Sequence, residues 1–196
     1  MPVAVKMDPV IDRNIATECT FMRENCDGKK LTRAPKYILH NTFGGGRRYV
    51  IMEYLEYSVE EYLNTMKSQA QRDQEISRLA IEMLYAVREL HELGYIHRDI
   101  KNMNFRVHKG KVYIIDFGLK QQYKPNGVHI EENRNSLFVG HVRYASHWTH
   151  EGINQSRRDD IEMLGYCILQ MVNLDLNQEI WSYITGIGLS QTEQDV

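Results

Sequence analysis

The pattern of hydrophobic and polar positions divides the chain into an early part of short strand-like segments and a later part of longer helical ones. Residues 3–6, 36–40 and 48–53 are rich in β-branched and aromatic side chains, which predicts three strands. Residues 11–23 are predicted to form a helix between the first two strands. The glycine run at residues 44–46 predicts a flexible hairpin turn between the last two.

The helical pattern is clearest over residues 74–93. Apolar side chains recur there at helical spacing, at Ile76, Leu79, Met83, Leu84, Val87 and Leu90. Gly94 is placed to end this helix. Residues 105–107 and 112–115 flank a short polar segment that contains a glycine, and this arrangement predicts a β-hairpin.

A last helix is predicted to begin at Asp159 or Asp160, because either side chain can cap its N-terminus. Its apolar stripe would consist of Ile161, Leu164, Ile168, Leu169 and Val172. Strands with one helix, followed mostly by helices, indicate an α+β chain of two parts. The boundary between these parts is predicted near residues 53–57.

The composition adds mainly exclusions. Lys and Arg number 24 against 26 Asp and Glu, so the net charge of −2 demands neither nucleic acid nor an anionic membrane as a partner. No apolar run is long enough to span a bilayer, and residues 1–6 lack the features of a signal peptide. The three cysteines are odd in number, have no C-x-x-C spacing and are interpreted as small buried apolar residues. These features predict an intracellular protein of the cytoplasm, the nucleus or both.

Two short motifs in the middle of the chain carry the chemistry. Residues 97–104, His-Arg-Asp-Ile-Lys-Asn-Met-Asn, fit the pattern H-R-D-x-K-x-x-N and are called the catalytic loop below. Residues 116–118 are Asp-Phe-Gly and are called the metal loop. Either motif alone could be an ordinary turn, but both in this order, joined by a predicted hairpin, indicate a protein kinase.

The demands of phosphoryl transfer explain these residue types, because the reaction needs mostly positioning and charge neutralisation. Asp99 is the carboxylate that would face the incoming hydroxyl group. Lys101 supplies a cation for the transferred phosphate. Asn104 and Asp116 offer the amide and carboxylate oxygens that would hold magnesium.

Longer segments of the second half resemble the casein kinase 1 family of serine/threonine kinases. Residues 113–119, Tyr-Ile-Ile-Asp-Phe-Gly-Leu, resemble that family's metal-loop strand. Residues 140–146, Gly-His-Val-Arg-Tyr-Ala-Ser, are similar to its G-T-x-R-Y-A-S segment and are called the substrate-side loop. Residues 155–166 resemble its hallmark Q-S-R-R-D-D-L-E-x-L-G-Y. The resemblance covers about residues 3–172, and the tau-tubulin and vaccinia-related kinases, which share parts of it, remain alternatives.

The resemblance assigns an ATP-binding role to several residues of the early part. Lys6 matches the strand lysine that contacts the ATP phosphates, and Glu18 matches the helix glutamate that pairs with it. Met52 resembles the residue that guards the adenine pocket, and Glu53 to Leu55 resemble the hinge whose backbone meets adenine. The alternative for Lys6 is a strand-end lysine that reaches water, and for Glu18 a solvated position on the helix. For the apolar strand that holds Met52 the alternative is an ordinary place in the core.

The resemblance also implies roles on the substrate side. Arg143 matches a residue that binds anions, since the family favours acidic or already phosphorylated protein substrates. Internal ion pairs with neighbouring carboxylates are the preferred interpretation of Arg157 and Arg158. Asp160 resembles the helix aspartate that braces the catalytic loop from behind.

The chain departs from the family pattern at several points. No Gly-rich loop precedes the lysine strand, and residues 44–46 lie in the wrong place to replace it. His141 stands where the family has Thr, which is expected to disturb the contact that steadies Asp99. Asn102 and Met103 replace the usual Pro-Asp.

The sequence therefore predicts a kinase-like two-lobe α+β fold that is incomplete at both ends. Residues 1–55 would form a partial N-lobe without its Gly-rich loop, and residues 56–196 a partial C-lobe that is cut short. The predicted function is a casein-kinase-1-like serine/threonine protein kinase that uses ATP and Mg²⁺. The alternative is a pseudokinase or scaffold protein with poor ATP capture. The oligomeric state is left open.

Overall fold

The computed structural model describes residues 2–7 and 13–172. The N-terminal part consists of β1 (Val3–Met7), α1 (Arg13–Asn25), β2 (Tyr37–Phe43) and β3 (Arg47–Glu53). The three strands form an antiparallel sheet in the order β1-β3-β2. α1 contacts β2 and β3, and the buried side chain of Val50 lies on the central strand.

Short strands and helices make up the C-terminal part. In chain order they are β4 (Tyr57–Ser58), α2 (Val59–Leu63), α3 (Gln69–Glu92), β5 (Tyr95–Ile96), β6 (Phe105–His108), β7 (Lys111–Ile114), β8 (Gln121–Gln122), α4 (His147–His150) and α5 (Arg157–Val172). β6 and β7 form the predicted hairpin, and β4 adds a third strand to it. α3 packs against both α5 and β7. None of the helices in these described ranges has the length and apolar character that crossing a bilayer requires.

Local capping explains where two helices begin and end. The Ser58 hydroxyl accepts the Glu61 backbone N–H while the Glu61 carboxylate accepts that of Ser58, a reciprocal capping box for α2. α3 ends before Gly94, which has φ +85° and supplies the left-handed residue that stops a helix. The prediction for the end of α3 is therefore confirmed. Its predicted start at residue 74 is wrong, because Ser68 caps the N-terminus and α3 begins five residues earlier, at Gln69.

Other predicted boundaries also shift. α1 runs two residues beyond the predicted end at residue 23, and residues 11–12 lie outside the described part. The second strand is longer than residues 36–40, because its pairing with β3 continues to Phe43. α5 begins at Arg157 rather than at an aspartate cap. Asp159 stabilises this end from within the first turn, where its carboxylate accepts the Ser156 backbone N–H at 2.7 Å.

The apolar stripe predicted for the last helix is only partly buried. Ile161, Leu169 and Val172 are exposed, and so is Leu84 of α3. The buried face of α5 is instead centred on Asp159, Asp160, Met163, Leu164, Cys167 and Met171. Two aspartates take inward positions, where their carboxylates bind backbone N–H groups and the Ser146 hydroxyl.

The core is continuous across both parts of the described chain. It includes Phe21 and Met22 of α1, Leu79 and Met83 of α3, and Phe117 of the metal loop. All three cysteines are buried, as the sequence interpretation expected, and within the described ranges none forms a disulfide. Burial raises the pKa of the Cys26 thiol to about 12, so this side chain stays a neutral, apolar packing group.

Candidate active site

Lys6 joins the sheet to the metal loop. Its ammonium lies 2.7 Å from Glu18 Oε2 and 2.7 Å from Asp116 Oδ1. Glu18 is buried, with 1% of its surface exposed, so the solvated-face alternative for this residue is wrong. Its other oxygen accepts the Phe117 backbone N–H at 3.0 Å. One buried carboxylate of α1 thus holds both the strand lysine and the metal loop.

The charges of this group support one another. Burial lowers the pKa of Lys6, but the charges and hydrogen bonds of Glu18 and Asp116 outweigh burial, and the pKa ends above its ordinary value. Burial likewise raises the pKa of Asp116, whereas the bond to Lys6 and its charge bring the pKa below the ordinary value. Lys6 and Asp116 are therefore both ionised at neutral pH.

The metal loop has a strained but well-packed backbone. Asp116 has φ +65°, in the left-handed region that few residues other than Gly, Asn and Asp adopt. Its Oδ1 accepts the Gly118 backbone N–H at 3.3 Å, which stabilises this turn. Phe117 is fully buried, with its ring 4.9 Å from Phe21 and 5.8 Å from His97 between centroids. Packing of Phe117 thus presents the Asp116 carboxylate towards Lys6.

The catalytic loop places Asp99 among donors. Lys101 Nζ lies 2.9 Å from Asp99 Oδ2. Asn104 Nδ2 donates to the same oxygen at 2.9 Å and to the Asp99 carbonyl at 2.7 Å. Asp99 is 9% exposed, so its carboxylate is held in one orientation with limited access to water. The two residues predicted as catalytic are therefore in direct contact.

Asp160 braces the catalytic loop from behind, as the resemblance implied. Its two oxygens accept the backbone N–H groups of His97 at 2.8 Å and Arg98 at 2.9 Å. His91 Nε2 lies 2.8 Å from the same carboxylate. The sequence analysis did not identify His91. The only sequence signal for this role is its position in the last turn of α3, shortly before the catalytic loop.

Gly140 allows the substrate-side loop to approach the catalytic loop closely. It has φ +103°, and a Cβ atom added there would lie 2.4 Å from the Arg98 carbonyl oxygen. Gly140→Ala is therefore expected to lower the free energy of unfolding by about 1–3 kcal/mol, since backbone must move. Denaturant unfolding measures this loss. Gly44→Ala, where a Cβ meets open space, is the control and should change stability by less than about 0.5 kcal/mol. Equal effects at both positions would contradict this account.

The predicted substrate residue Arg143 is exposed and lines an open cleft of about 380 Å³ beside Lys101 and His141. Within the described ranges its guanidinium has no ion pair. Burial and then the charge of Lys101 lower the pKa of His141, so its ring is neutral at pH 7. The imidazole accepts the Arg143 backbone N–H at 3.3 Å, so His141 caps the turn of its own loop.

Arg157 and Arg158 make different contacts. Arg158 Nε lies 3.6 Å from Asp159 Oδ2, in agreement with the predicted internal ion pair. Its guanidinium also lies over the Trp148 ring, 4.6 Å from the centroid. Arg157 lies 4.8 Å from the Tyr123 ring centroid, a cation–π contact that the sequence did not indicate.

Met52, Glu53 and Leu55, the residues predicted to lie beside adenine, are found at the end of β3 and just after it. Met52 is half-buried opposite Ala4 of β1, and Glu53 is the last residue of the strand. The Glu53 backbone N–H donates to the Lys36 carbonyl at 2.9 Å. Leu55 is buried in the segment that joins β3 to β4, so its side chain is core while its backbone remains the predicted hinge.

Asn104 and Asp116, the two residues predicted to hold a metal, fit a magnesium ion whose other ligands are phosphate oxygens and water. Asn104 uses its amide nitrogen for Asp99, which leaves the carbonyl oxygen as a donor atom. Among the described residues, the contacts of Asp116 all use Oδ1. No three His, Cys, Asp or Glu side chains of residues 2–7 and 13–172 converge on one point. One carboxylate and one amide, completed by phosphate oxygens and water, is a coordination typical of Mg²⁺.

Two comparisons with known proteins agree with this geometry. Residues 3–181 match the family model of the protein kinase domain. A solved structure of vaccinia related kinase 3 superposes with a TM-score of 0.75 at 22% sequence identity, over 94% of this chain and 63% of that one. The chain thus spans less than two thirds of that structure, and at this identity the likeness concerns the fold. Since the family model matches most of its length, the chain belongs to the protein kinase family.

Proposed function

We propose that the protein transfers the γ-phosphoryl group of ATP, with Mg²⁺, to serine or threonine hydroxyls of protein substrates. The observation that carries this proposal is the Lys6 ammonium, held 2.7 Å from both Glu18 and Asp116. An unpaired lysine at a strand end would turn to water, whereas this one is fixed between the helix and the metal loop. Such a fixed cation is suited to ATP phosphates and costs little reorganisation when they bind.

Asp99 and Lys101 supply the groups for the acceptor side of the reaction. The Asp99 carboxylate orients the substrate hydroxyl and accepts its proton as the new P–O bond forms. Lys101, 2.9 Å from Asp99, neutralises charge on the transferred group. Asn104 keeps Asp99 in place through its two bonds to that residue.

Magnesium, when bound, neutralises the phosphate charge and orients the phosphates for in-line displacement. Asn104 and Asp116 would hold it through their free oxygens. The bond from Lys6 to Asp116 keeps that carboxylate ionised, as a metal ligand must be.

An acidic or already phosphorylated substrate is the further part of the proposal. Its support is Arg143, exposed in the cleft beside Lys101, whose guanidinium forms no ion pair with the residues that the structure describes and is suited to a carboxylate or phosphate. Together with the segments at residues 140–146 and 155–166, this favours a casein-kinase-1-like specificity. We also propose that the protein acts inside the cell, in the cytoplasm, the nucleus or both.

Asp116→Asn tests nucleotide binding directly. The wild-type protein should bind ATP more tightly with Mg²⁺ than without it. The variant should lose this gain, on the order of tenfold or more, because a ligand charge is removed while Lys6 keeps its bond to Glu18. Titration calorimetry with ATP, with and without Mg²⁺, measures the difference.

The exposed Asp73 of α3 provides the matched control, since Asp73→Asn should leave both affinities unchanged. If the wild-type protein shows no binding of ATP under either condition, the enzyme proposal fails. A pseudokinase or scaffold protein derived from the family would then be the better account.

A further inference from the structure

Three polar side chains meet where the catalytic loop, the substrate-side loop and α5 come together. Gln170 of α5 contributes one carboxamide oxygen that accepts two hydrogen bonds. Asn102 Nδ2 donates to it at 2.8 Å, and the Tyr144 hydroxyl donates to it at 2.5 Å. Asn102 belongs to the catalytic loop and Tyr144 to the substrate-side loop, so a single oxygen atom joins both loops to the helix.

Asn102 and Tyr144 are both oriented to donate hydrogen bonds to α5. The Asn102 amide also donates to the Cys167 carbonyl at 3.3 Å, so its two N–H groups both point at α5. Its own oxygen is buried and has no hydrogen-bond partner within the described ranges. Leaving a buried oxygen unpaired costs free energy, and the two N–H bonds offset this cost. Burial raises the pKa of Tyr144 to about 12, so its hydroxyl remains protonated and able to donate.

Asn102 and Tyr144, the two donors, each directly follow a residue with a proposed role in the reaction. Asn102 directly follows Lys101, whose ammonium lies 2.9 Å from Asp99. Tyr144 directly follows Arg143, which is exposed in the shared cleft that Gln170 also lines. The shared acceptor therefore links the two backbone segments that carry Lys101 and Arg143.

We propose that Gln170 is a positioning residue that couples the catalytic loop to the substrate-side loop through Asn102 and Tyr144. The catalytic consequence rests on the proposed kinase function, whereas the coupling itself does not. Gln170 touches neither reacting group, and it acts by holding two loops at a set separation. Reactive groups held in this way gain rate from orientation alone, so a small displacement of either loop lowers the rate.

Amide hydrogen exchange tests the coupling without any need for activity. Gln170→Met keeps the length of the side chain and removes the acceptor. We expect it to speed exchange about tenfold in both the catalytic loop and the substrate-side loop, since both lose a hydrogen bond to α5. Gln170→Glu retains an oxygen acceptor for both donors and should exchange like the wild type. Leu169→Met, an exposed neighbour on the same helix, is the matched control and should change neither loop.

Tyr144→Phe provides a second test that deletes one hydroxyl group. If Gln170 couples the loops, this variant speeds exchange in its own loop and, to a smaller extent, in the catalytic loop. Faster exchange in only one loop with Gln170→Met, or failure of Gln170→Glu to restore slow exchange, would overturn the proposal. Should Gln170→Met fail to fold, the result with Tyr144→Phe decides.

Steady-state kinetics with an acidic serine peptide test the catalytic consequence. Gln170→Met should lower kcat/KM for the peptide about tenfold, with a higher KM for the peptide and an unchanged KM for ATP, and Gln170→Glu should restore most of the loss. A role in stability alone would reduce the active fraction and leave both KM values as they are. Absence of transfer by the wild-type protein would refute the proposed function, and hydrogen exchange would still decide the coupling.

Discussion

Replacing Asp99 with asparagine is expected to slow phosphoryl transfer by about a thousandfold and to leave the affinity for ATP nearly unchanged. The amide cannot accept the proton of the substrate hydroxyl. It also presents an N–H group or a neutral oxygen to Lys101 and Asn104, which now donate to the carboxylate at 2.9 Å each. Lys6, Glu18 and Asp116 are untouched, so nucleotide binding should persist. Transfer of labelled phosphate from ATP to an acidic serine peptide measures the rate.

The same assay on Asp73→Asn controls for the loss of one carboxylate elsewhere on the surface. Titration calorimetry of the Asp99 variant with Mg²⁺ and ATP checks that binding is retained. A rate within about tenfold of the wild type would show that Asp99 is not the proton acceptor, because such groups contribute about a hundredfold or more. A wild-type protein that binds ATP and transfers no phosphate would favour the pseudokinase account.

Replacing Asp160 with asparagine is expected to reduce the free energy of unfolding by about 3–5 kcal/mol, enough to unfold much of a marginally stable domain. Asp160 is 1% exposed, and its carboxylate accepts two backbone N–H groups and contacts His91. An asparagine has only one acceptor oxygen, so its NH₂ group would face a buried donor. An unpaired buried donor of this kind carries the full cost of desolvation.

Circular dichroism during urea unfolding gives the free energy for this variant and for Asp73→Asn, which should lie within about 0.5 kcal/mol of the wild type. Asp160→Asn differs from the wild type by one group, so a stable variant would show that the three contacts contribute little. The stability test is independent of catalysis. It therefore remains informative if the protein proves to be a binding protein rather than an enzyme.

Glu18 shows what tertiary contact adds to a local pattern. From the sequence it is one glutamate on a predicted helix, where a solvated side chain is the alternative to a bond with Lys6. The structure buries it because the sheet and the metal loop bring Lys6 and the Phe117 backbone N–H to its two oxygens. Glu18 and Phe117 are separated along the chain by 99 positions, and no local spacing encodes their meeting.

α5 shows that hydrophobic spacing alone does not predict which side chains of a helix are buried. Hydrophobic spacing predicted an apolar stripe in which Leu164 and Ile168 face the core, whereas Ile161, Leu169 and Val172 are exposed. The helix buries Asp159 and Asp160 instead, because Ser146, Ser156 and the catalytic loop supply donors for their oxygens. The spacing of apolar residues does not predict the burial of a carboxylate, because the hydrogen-bond donors that stabilise it lie elsewhere in the chain.

The sequence by itself determined the family resemblance, the order of strands and helices, and the residue types of the catalytic and metal loops. These follow from contiguous motifs, in which chemistry fixes both residue and spacing. Only the tertiary structure decided that Lys6 lies between two carboxylates, that His91 joins the brace at Asp160, and that Gln170 links two loops. The physical reason is that hydrogen bonds and ion pairs depend on distances of about 3 Å between atoms, and such distances between remote residues are set by packing of the whole core.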